Sequence, residues 1–163
     1  MAYNELLAQR IRVILDEYEG ITQQKMIYQT AFGSYCVEKY GATIIAAFFQ
    51  DSDSDEANQS ENRALLDFTT SELSPQGTPF ERMVWDMLLK IPYGHTMSYE
   101  EVAQALDKPR AVRAVAHAIA KNPIAYLIPC HRVMYKNGRI GAYRWGAARK
   151  KALLAWEAAS SSE

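Results

Sequence analysis

The spacing of apolar residues changes from helical to β-like early in the chain. Apolar side chains recur every three or four positions in residues 3–19 and stop at Gly20, which predicts one amphipathic helix. From Met26 to Phe49, three runs rich in β-branched and aromatic residues are separated by Gly33 and Gly41, which favours a small antiparallel sheet. The apolar helix positions are Leu7, Ile11, Ile14, Leu15 and Tyr18, and the strand-like runs are KMIYQTAF, SYCVEKY and TIIAAFF.

Past this sheet the pattern is mostly helical. Residues 51–62 are acidic and polar, which is typical of an exposed loop, and they precede a helix predicted over 61–73. The segment SPQG at 74–77 is typical of a connector between two lobes. Thr78 then supplies an N-cap, and Pro79 the first helical residue, for the apolar helix FERMVWDMLLKI.

Two short helices with a tight break between them follow. SYEE has the pattern of a capping box, in which the Ser98 hydroxyl accepts from the N–H of Glu101 while that carboxylate reaches back, and it predicts a helix over 98–106. Residues 107–109 interrupt this helix, and an alanine-rich helix is predicted over 110–122. Helix, short turn and helix is the outline of a helix-turn-helix motif.

The end of the chain combines an extended segment with a closing helix. Residues 124–135 are apolar and predicted to be extended, a KNGRIG turn follows, and a helix is predicted over 146–158. These elements predict an α+β fold with two lobes. Residues 1–76 are expected to form a scaffold lobe with helices and the small antiparallel sheet. Residues 77–163 are expected to form a mainly helical, winged-helix-like lobe that contains the helix-turn-helix.

Charge is divided unevenly between the two lobes. The chain has 163 residues, of which 48% are apolar, and a net charge of −1, which is compatible with a globular protein. Residues 1–76 hold 5 basic and 12 acidic residues, whereas residues 77–157 hold 13 basic and 6 acidic ones. An anionic partner is therefore expected to meet the second lobe. Because no long apolar run or signal-peptide pattern occurs, we expect a soluble intracellular protein, cytoplasmic or, in a eukaryote, nuclear.

Cysteines and histidines are few and lack paired metal-ligand spacing. The cysteines are Cys36 and Cys130, and the histidines are His95, His117 and His131. Without a pair such as C-x-x-C, neither a structural zinc site nor another metal site is expected. Both thiols are expected to be reduced, and Cys36 to be an ordinary strand residue.

Cys130 stands in the motif IPCHRV, which has the ingredients of an activated thiol. The imidazole of His131 is a neighbouring base, and Pro129 stiffens the backbone. In an extended segment, however, adjacent side chains point to opposite faces. Cys130 and His131 would then cooperate only across a turn or through a bridging water. For this motif taken alone, a buried core cysteine remains an alternative.

Three segments around this motif form a longer pattern: NPIAYLIPCHRV at 122–133, GAYRWG at 141–146 and the alanine-rich helix upstream. Over about residues 77–157 the chain resembles the O6-alkylguanine-DNA alkyltransferase family. The resemblance implies DNA repair by direct reversal, in which an alkyl group moves irreversibly from O6 of guanine to Cys130, once per molecule. It implies no cofactor and a monomer that binds alkylated double-stranded DNA through the minor groove. The RWG variant is most similar to bacterial adaptive-response proteins.

The resemblance also implies chemical roles for individual residues. Cys130 is the acceptor nucleophile, His131 draws the thiol proton through a water, and Glu157 holds the imidazole in the right tautomer. Tyr99 donates a proton to guanine N3 as the base leaves. Arg113 enters the duplex in place of the extruded base, because the O6 carbon can be reached only after base flipping.

Further positions are implied to contact DNA or the base. Asn122 is a hinge after the recognition helix, and Arg110 a phosphate contact. The small helix residues Ala111, Ala114 and Ala116 suit the narrow minor groove. The backbone carbonyls of Cys130 and Val133 read the guanine amine, and the loop residues Tyr143 and Arg144 close over the alkyl group. Ala125 and Trp145 stand where vertebrate members have proline and glycine, which predicts a preference for methyl over benzyl adducts.

Three other functions remain open from the sequence. An alkyltransferase-like damage sensor would keep the helix-turn-helix and the arginine but lack the acceptor cysteine, so Cys130 counts against it. A transcriptional regulator would read the major groove, for which an alanine-lined helix is poorly suited. A cysteine hydrolase could use the same Cys, His and Glu side chains, and it would turn over many substrate molecules.

Overall fold

The chain folds into two compact units. The computed structural model describes residues 12–13, 23–51, 65, 68 and 71–161. The first unit comprises the chain through Gln76 together with Pro123–Leu127, and the second comprises Gly77–Asn122 and the chain from Ile128 onward. None of the helices within the described residues has the length and apolarity needed to span a bilayer.

A mixed sheet forms the described part of the first unit. Strands β2, β3 and β4 form an antiparallel meander with two-residue turns, and Gly41, with φ of 57°, begins the second turn. The predicted antiparallel sheet is therefore confirmed. A short strand, β5, pairs in parallel with β4 on one side and with β1 on the other. The strands are β1 (Arg12–Val13), β2 (Gln23–Thr30), β3 (Gly33–Tyr40), β4 (Thr43–Gln50) and β5 (Glu72–Leu73).

Two helix predictions in this unit are wrong at one end or in one part, although Leu65, inside the second of them, is helical. Arg12–Val13, inside the helix predicted over 3–19, forms β1, and Glu72–Leu73, at the end of the helix predicted over 61–73, forms β5. The backbone of Thr43–Ile44 in β4 offers β5 a partner for parallel pairing, and β5 in turn offers one to β1. Such long-range pairing leaves no local periodicity to read. The rest of both segments, apart from Leu65, Phe68 and Ser71, and the predicted loop from residue 52 onward lie outside the described residues.

The segment Pro123–Leu127 lies with the sheet of the first unit. The N–H of Ala47 donates to the carbonyl of Pro123 at 3.0 Å, and the N–H of Ala125 donates to the carbonyl of Ala47 at 2.7 Å. The buried hydroxyl of Tyr35 also donates to the Ala125 carbonyl at 2.7 Å. The sequence had assigned this segment to the C-terminal lobe. It joins the sheet because β5 covers only the first two residues of β4, which leaves Ala47 available for pairing.

The four helices predicted for the second unit are present within it. The predicted extended segment over 124–135, however, is wrong at residues 125–127, which form a turn with Tyr126 at φ of 68°, and at Cys130–Arg132, which form a 3-10 turn. A short parallel pair joins β6 to β7, the strand that follows this turn. The elements are α1 (Pro79–Leu88), β6 (Met97–Ser98), α2 (Tyr99–Ala105), α3 (Val112–Ala120), β7 (Val133–Met134) and α4 (Ala147–Ser161).

Side-chain caps fix where α1 and α2 begin. The Thr78 hydroxyl accepts from the N–H of Glu81 at 3.1 Å, and that carboxylate accepts from the N–H of Thr78 at 2.9 Å, so a complete capping box precedes α1. At α2 the Ser98 hydroxyl accepts from the N–H of Glu101 at 3.1 Å, which is the first half of the box predicted there. Both helices start where the sequence places their caps.

The start and the burial of α3 depend on a turn and on α1. Asp107, with φ of 57°, takes a left-handed conformation between α2 and α3, which aspartate tolerates better than most residues. On the buried face of α3, Val115, Ala118 and Ile119 form the core contact. The indole N–H of Trp85 in α1 donates to the carbonyl of Ala118 at 2.8 Å. This bond holds the C-terminal half of α3 against α1.

Candidate active site

Cys130 lies in a backbone turn instead of an extended strand. Its N–H donates to the carbonyl of Ile128 at 2.8 Å, with Pro129 at φ −82° and ψ 62°, which is an inverse γ-turn. The N–H of Arg132 then donates to the carbonyl of Pro129 at 3.0 Å. Because the backbone turns here, the strict alternation of a strand does not apply. The sequence analysis predicted that Cys130 and His131 could cooperate directly only across such a turn.

Asn122 ties the end of α3 to this turn. Its side chain is fully buried, and Nδ2 donates to the carbonyl of Ile128 at 2.9 Å and to Sγ of Cys130 at 3.3 Å. An amide nitrogen carries two hydrogens, so both bonds form together. The sequence resemblance treats Asn122 as a hinge, and this geometry makes it a direct partner of the thiol as well.

Burial makes the Cys130 thiol a weak acid in the resting protein. The residue is 5% exposed. Burial raises the pKa of Cys130 to about 11, although the Asn122 hydrogen bond and the positive charges of Lys150 and Arg144 oppose that rise. The thiol is therefore protonated near neutral pH. An alkylation at this sulfur needs a base to take the proton.

His131 and Glu157 form a buried hydrogen-bonded pair that can act as this base. The contact is short and joins His131 Nε2 to Glu157 Oε1. Burial raises the pKa of Glu157, but His131 and Arg132 outweigh that effect and hold it below its usual value, so the carboxylate is ionised and can only accept. Nε2 therefore carries the hydrogen, and Nδ1 is the basic nitrogen. Burial lowers the pKa of His131 despite Glu157, so its ring is neutral at pH 7.

Arg132 is a member of this buried cluster that the sequence analysis did not single out. Its Nε donates to Oε1 and Oε2 of Glu157 at 3.0 and 2.9 Å, and Nη1 donates to the carbonyl of Ile91 at 2.8 Å. The guanidinium also lies 5.6 Å from the ring centroid of Tyr93. Arg132 thus links the Glu157 carboxylate to the backbone just after α1 and holds it in one position. Only its place in the IPCHRV motif signalled a role.

Lys150 is a second buried cation that the sequence analysis missed. Its Nζ donates to the carbonyl of Val133 at 2.7 Å and to that of Ala142 at 3.4 Å. Burial lowers the pKa of Lys150 to about 8, while Cys130 opposes the shift. The sequence did contain a signal, because Lys150 lies on the same face of α4 as the buried Leu153 and Glu157.

Cys130 opens onto a cavity of about 290 Å³. Tyr99 lies at the start of α2, and its ring centroid is 5.1 Å from that of Tyr135 at an interplanar angle of 49°. Burial raises the pKa of Tyr99, and Tyr135 and Cys130 add to the effect, so its hydroxyl is a proton donor. The lining residues are Tyr99, Ala116, Ile119, Ala120, Cys130, Tyr135, Ala142, Tyr143 and Arg144.

The loop over 141–146 closes one side of this cavity. Nη1 of Arg144 donates to the carbonyl of Asn122 at 3.0 Å, which ties the loop to the end of α3. Tyr143 lines the cavity, but Trp145 does not; its ring packs against Tyr143 with centroids 5.3 Å apart. Trp145 thus meets the cavity through Tyr143, and its effect on the size of the pocket stays a prediction. Tyr135, which the sequence analysis did not name, is a further bulky side chain at the cavity wall.

The other predicted DNA contacts fall into two groups. Arg110, Arg113 and Ala114 are exposed, and Ala111 is the N-cap of α3, so these four lie outside the cavity lining. Ala116 instead lines the cavity. The Val133 carbonyl, which is predicted to read the guanine amine, accepts a hydrogen bond from Lys150. Because a carbonyl oxygen has two lone pairs, this bond leaves one lone pair for the predicted contact. Within the described residues, no cluster of three or more His, Cys, Asp or Glu could hold a metal ion.

Comparison with known proteins identifies the family of this chain. The family model for "6-O-methylguanine DNA methyltransferase, DNA binding domain" matches residues 79–159. A crystal structure of Mycobacterium tuberculosis OGT in complex with DNA is 31% identical with a TM-score of 0.71, over 84% of this chain and 92% of that one. The chain belongs to the O6-methylguanine-DNA methyltransferase family.

Curated members of this family are more similar but over a shorter stretch. A probable methylated-DNA–protein-cysteine methyltransferase of Acanthamoeba polyphaga mimivirus is 49% identical over 90 residues, 55% of this chain and 60% of that protein. The bifunctional transcriptional activator and DNA repair enzyme Ada of Escherichia coli is 51% identical over 89 residues, 55% of this chain and 25% of Ada. The matched stretch thus spans less than two thirds of either relative. The resemblance inferred from the sequence is confirmed.

The buried pair makes the stability of this family member depend on pH. In the folded protein the pKa values of both His131 and Glu157 lie below their ordinary values of 6.5 and 4.5, so unfolding takes up protons. We expect the free energy of unfolding, measured by urea titration, to fall as the pH drops below 6.5 and again below 4.5. Glu157→Gln is expected to cost about 3 to 5 kcal/mol at neutral pH, because Arg132 loses its partner. Glu157→Gln should also weaken the dependence of the free energy of unfolding on pH below 4.5. An unchanged dependence on pH in this variant would contradict the account.

Removing the charge of Lys150 is expected to make the Cys130 thiol less acidic. Lys150 lowers the pKa of Cys130, so Lys150→Met should raise that pKa and slow the alkylation of Cys130 by iodoacetamide, followed by peptide mass spectrometry. The matched control is Lys151→Met, because Lys151 is exposed. Alkylation of Cys36 in the same samples reports any loss of folding. Equal Cys130 rates in the two variants would exclude an electrostatic role for Lys150.

Proposed function

We propose that this protein repairs DNA by transferring the alkyl group of O6-alkylguanine, preferably methyl, to Sγ of Cys130. The observation that carries the proposal is the placement of Cys130 at a cavity, in the same turn as His131, whose imidazole is paired with the buried Glu157 of α4. The names of its relatives, methylated-DNA–protein-cysteine methyltransferases among them, support the same reaction. The transfer is stoichiometric, because a thioether is not reversed under cellular conditions, and it needs no cofactor.

The proposed chemistry begins with the proton of the thiol. Nδ1 of His131 takes it through one bridging water, and the imidazolium that forms is stabilised by the ionised Glu157. The sulfur then attacks the alkyl carbon in line with the C–O6 bond. A new S–C bond forms as the C–O6 bond breaks, and its electron pair returns to the guanine. Tyr99 donates a proton to N3 of the leaving base and is reprotonated by the relay.

Asn122 supports this step through its hydrogen bond to the sulfur. Its Nδ2 donates to Sγ at 3.3 Å, and a donor stabilises a thiolate more than a thiol. The cation of Lys150 acts in the same direction. Both groups are fixed before substrate arrives, so they need no reorganisation as charge develops on the sulfur.

The substrate base is proposed to enter the cavity after rotating out of the duplex. In a stacked base the alkyl carbon is not accessible to in-line attack, and an alkylated, poorly paired base costs less to unstack. α3 is proposed to lie in the minor groove, where the exposed Ala114 and the N-cap residue Ala111 permit close approach. Arg113 fills the space of the extruded base, and Arg110 contacts phosphate. The complex of OGT with DNA supports a DNA partner.

Several wider features follow from this proposal. A monomer suffices, because the residues proposed to carry the chemistry lie within one unit of one chain. The protein would act where DNA is, in the cytoplasm or nucleoid of a bacterium or the nucleus of a eukaryote. Residues 1–76 would serve as a scaffold lobe and residues 77–163 as the DNA-binding and catalytic domain, apart from the segment 123–127 that lies with the sheet.

Methyl transfer is tested by mass spectrometry. The protein is incubated with an equimolar duplex carrying one O6-methylguanine, its intact mass is measured, and the adduct is mapped by peptide analysis. We expect one methyl group per protein, on Cys130. The gain should be absent with unmodified duplex and with Cys130→Ser, and present with Cys36→Ser.

Other outcomes of this experiment would point elsewhere. Tight, lesion-selective binding without a gain in mass would indicate a damage sensor. Hydrolysis of an ester or peptide substrate over many turnovers, without stable modification of Cys130, would indicate a cysteine hydrolase. Either result would overturn the proposal.

The role proposed for Arg113 predicts a substrate-dependent defect. Arg113→Ala should slow methyl transfer from duplex DNA on the order of 10- to 100-fold, because the extruded base is no longer replaced in the stack. Transfer from the free base O6-methylguanine should be nearly unaffected. Arg110→Ala is the matched control. It should weaken binding to duplex DNA and make that binding less dependent on salt concentration than in the unsubstituted protein. Equal defects of Arg113→Ala on duplex and on free base would exclude the finger role.

A further inference from the structure

The wall of the cavity contains an aromatic residue to which no role has yet been assigned. Tyr135 directly follows β7 and lines the cavity that Cys130 opens onto. Its side chain is 46% exposed, so much of the ring borders open space instead of packed protein. Trp145, in contrast, lies outside the lining. Tyr135 therefore adds bulk directly at the cavity wall, which Trp145 does not.

Both the backbone and the ring of Tyr135 are held in place. Its N–H donates to the carbonyl of Arg139 at 2.9 Å, and its carbonyl accepts from the N–H of Gly138 at 3.0 Å. The ring contacts that of Tyr99, 5.1 Å away by centroids, and the guanidinium of Arg139 lies 5.8 Å from the Tyr135 centroid. These contacts help to hold the ring in place.

Gly141 restricts the same ring from the loop. A Cβ added at this glycine would lie 3.0 Å from Cε2 of Tyr135 and 3.3 Å from the hydroxyl of Tyr99. The loop backbone therefore passes directly against both tyrosines, at a φ of 81° that favours glycine. The ring of Tyr135 therefore has no room to move toward the loop, and it forms the wall of the cavity on that side.

The geometry of the proposed reaction makes such a wall selective. In-line displacement places the attacked carbon between Sγ of Cys130 and O6 of the base. The other substituents on that carbon then project sideways from the line of attack. Hydrogens of a methyl group need little room there, whereas the ring of a benzyl group needs a gap in the cavity wall.

We propose that Tyr135 sets the upper limit on the size of the O6 substituent, and that it, and not Trp145, gives the preference for methyl over bulky adducts. This inference rests on the proposed alkyl transfer to Cys130. Tyr99 and Tyr143 also line the cavity, and the ring of Tyr143 is packed against that of Trp145. Of these three tyrosines Tyr135 is the exposed one, so its ring is the one that borders open space into which a larger substituent would extend.

The test compares two lesions in the same duplex sequence, O6-methylguanine and O6-benzylguanine. The rate constant of transfer to Cys130 is measured for each, and the benzyl-to-methyl ratio is the readout. Tyr135→Ser and Tyr135→Val both shorten the side chain and should raise this ratio about tenfold or more. Tyr135→Phe keeps the ring and should leave the ratio within about twofold of that of the unsubstituted protein.

Two further variants make the test specific. Trp145→Gly removes the alternative source of bulk and should not raise the ratio. Lys136→Ser is a matched surface control, since Lys136 is the exposed neighbour of Tyr135. Unchanged ratios in both Tyr135→Ser and Tyr135→Val, or an equal rise in Trp145→Gly, would overturn the inference. Failure of the unsubstituted protein to transfer methyl would instead overturn the proposed function, and with it this inference.

Discussion

The buried carboxylate of Glu157 is the group on which the rest of the site depends. An ion removed from water costs several kcal/mol unless it is paired and hydrogen-bonded. Glu157 meets this requirement through His131 on one oxygen and Arg132 on both, and Arg132 is in turn held by the carbonyl of Ile91. The requirement therefore fixes α4 against the turn that contains Cys130. Because the carboxylate can only accept, it also fixes the tautomer of His131.

This arrangement accounts for the chemistry of a thiol that burial has made unreactive. A pKa of about 11 leaves almost no thiolate at neutral pH, which protects Cys130 from adventitious alkylation. The neutral imidazole of His131 is a base that acts on this one thiol. Asn122 and Lys150 stabilise the thiolate once it forms. In the proposed reaction the protein thus combines a protected sulfur in the resting state with a thiolate that forms only when substrate fills the cavity.

The sequence predicted what depends on local pattern and missed what depends on distant partners. The β2–β4 meander follows from Gly33, Gly41 and the runs between them, and α1 follows from its cap at Thr78. Strands β1 and β5 were read as helix because their pairing partners lie far along the chain. Arg132 and Lys150 were missed for the same reason, since each is defined by a buried group 25 or 17 residues away. Tyr135 was not predicted because the comparison of motifs singled out Trp145. Only the fold shows that Tyr135 lines the cavity and that Trp145 does not.

The central claim, that a neutral His131 takes the proton of a protonated thiol, is tested most directly by the pH dependence of methyl transfer. The first-order rate within the protein–DNA complex is measured across the accessible pH range. The account predicts that the rate rises with pH and levels off with an apparent pKa at or below 6.5, the ordinary value of histidine. A rate that keeps rising about tenfold per pH unit toward the raised pKa of Cys130, about 11, would mean that free thiolate and not the relay carries the reaction.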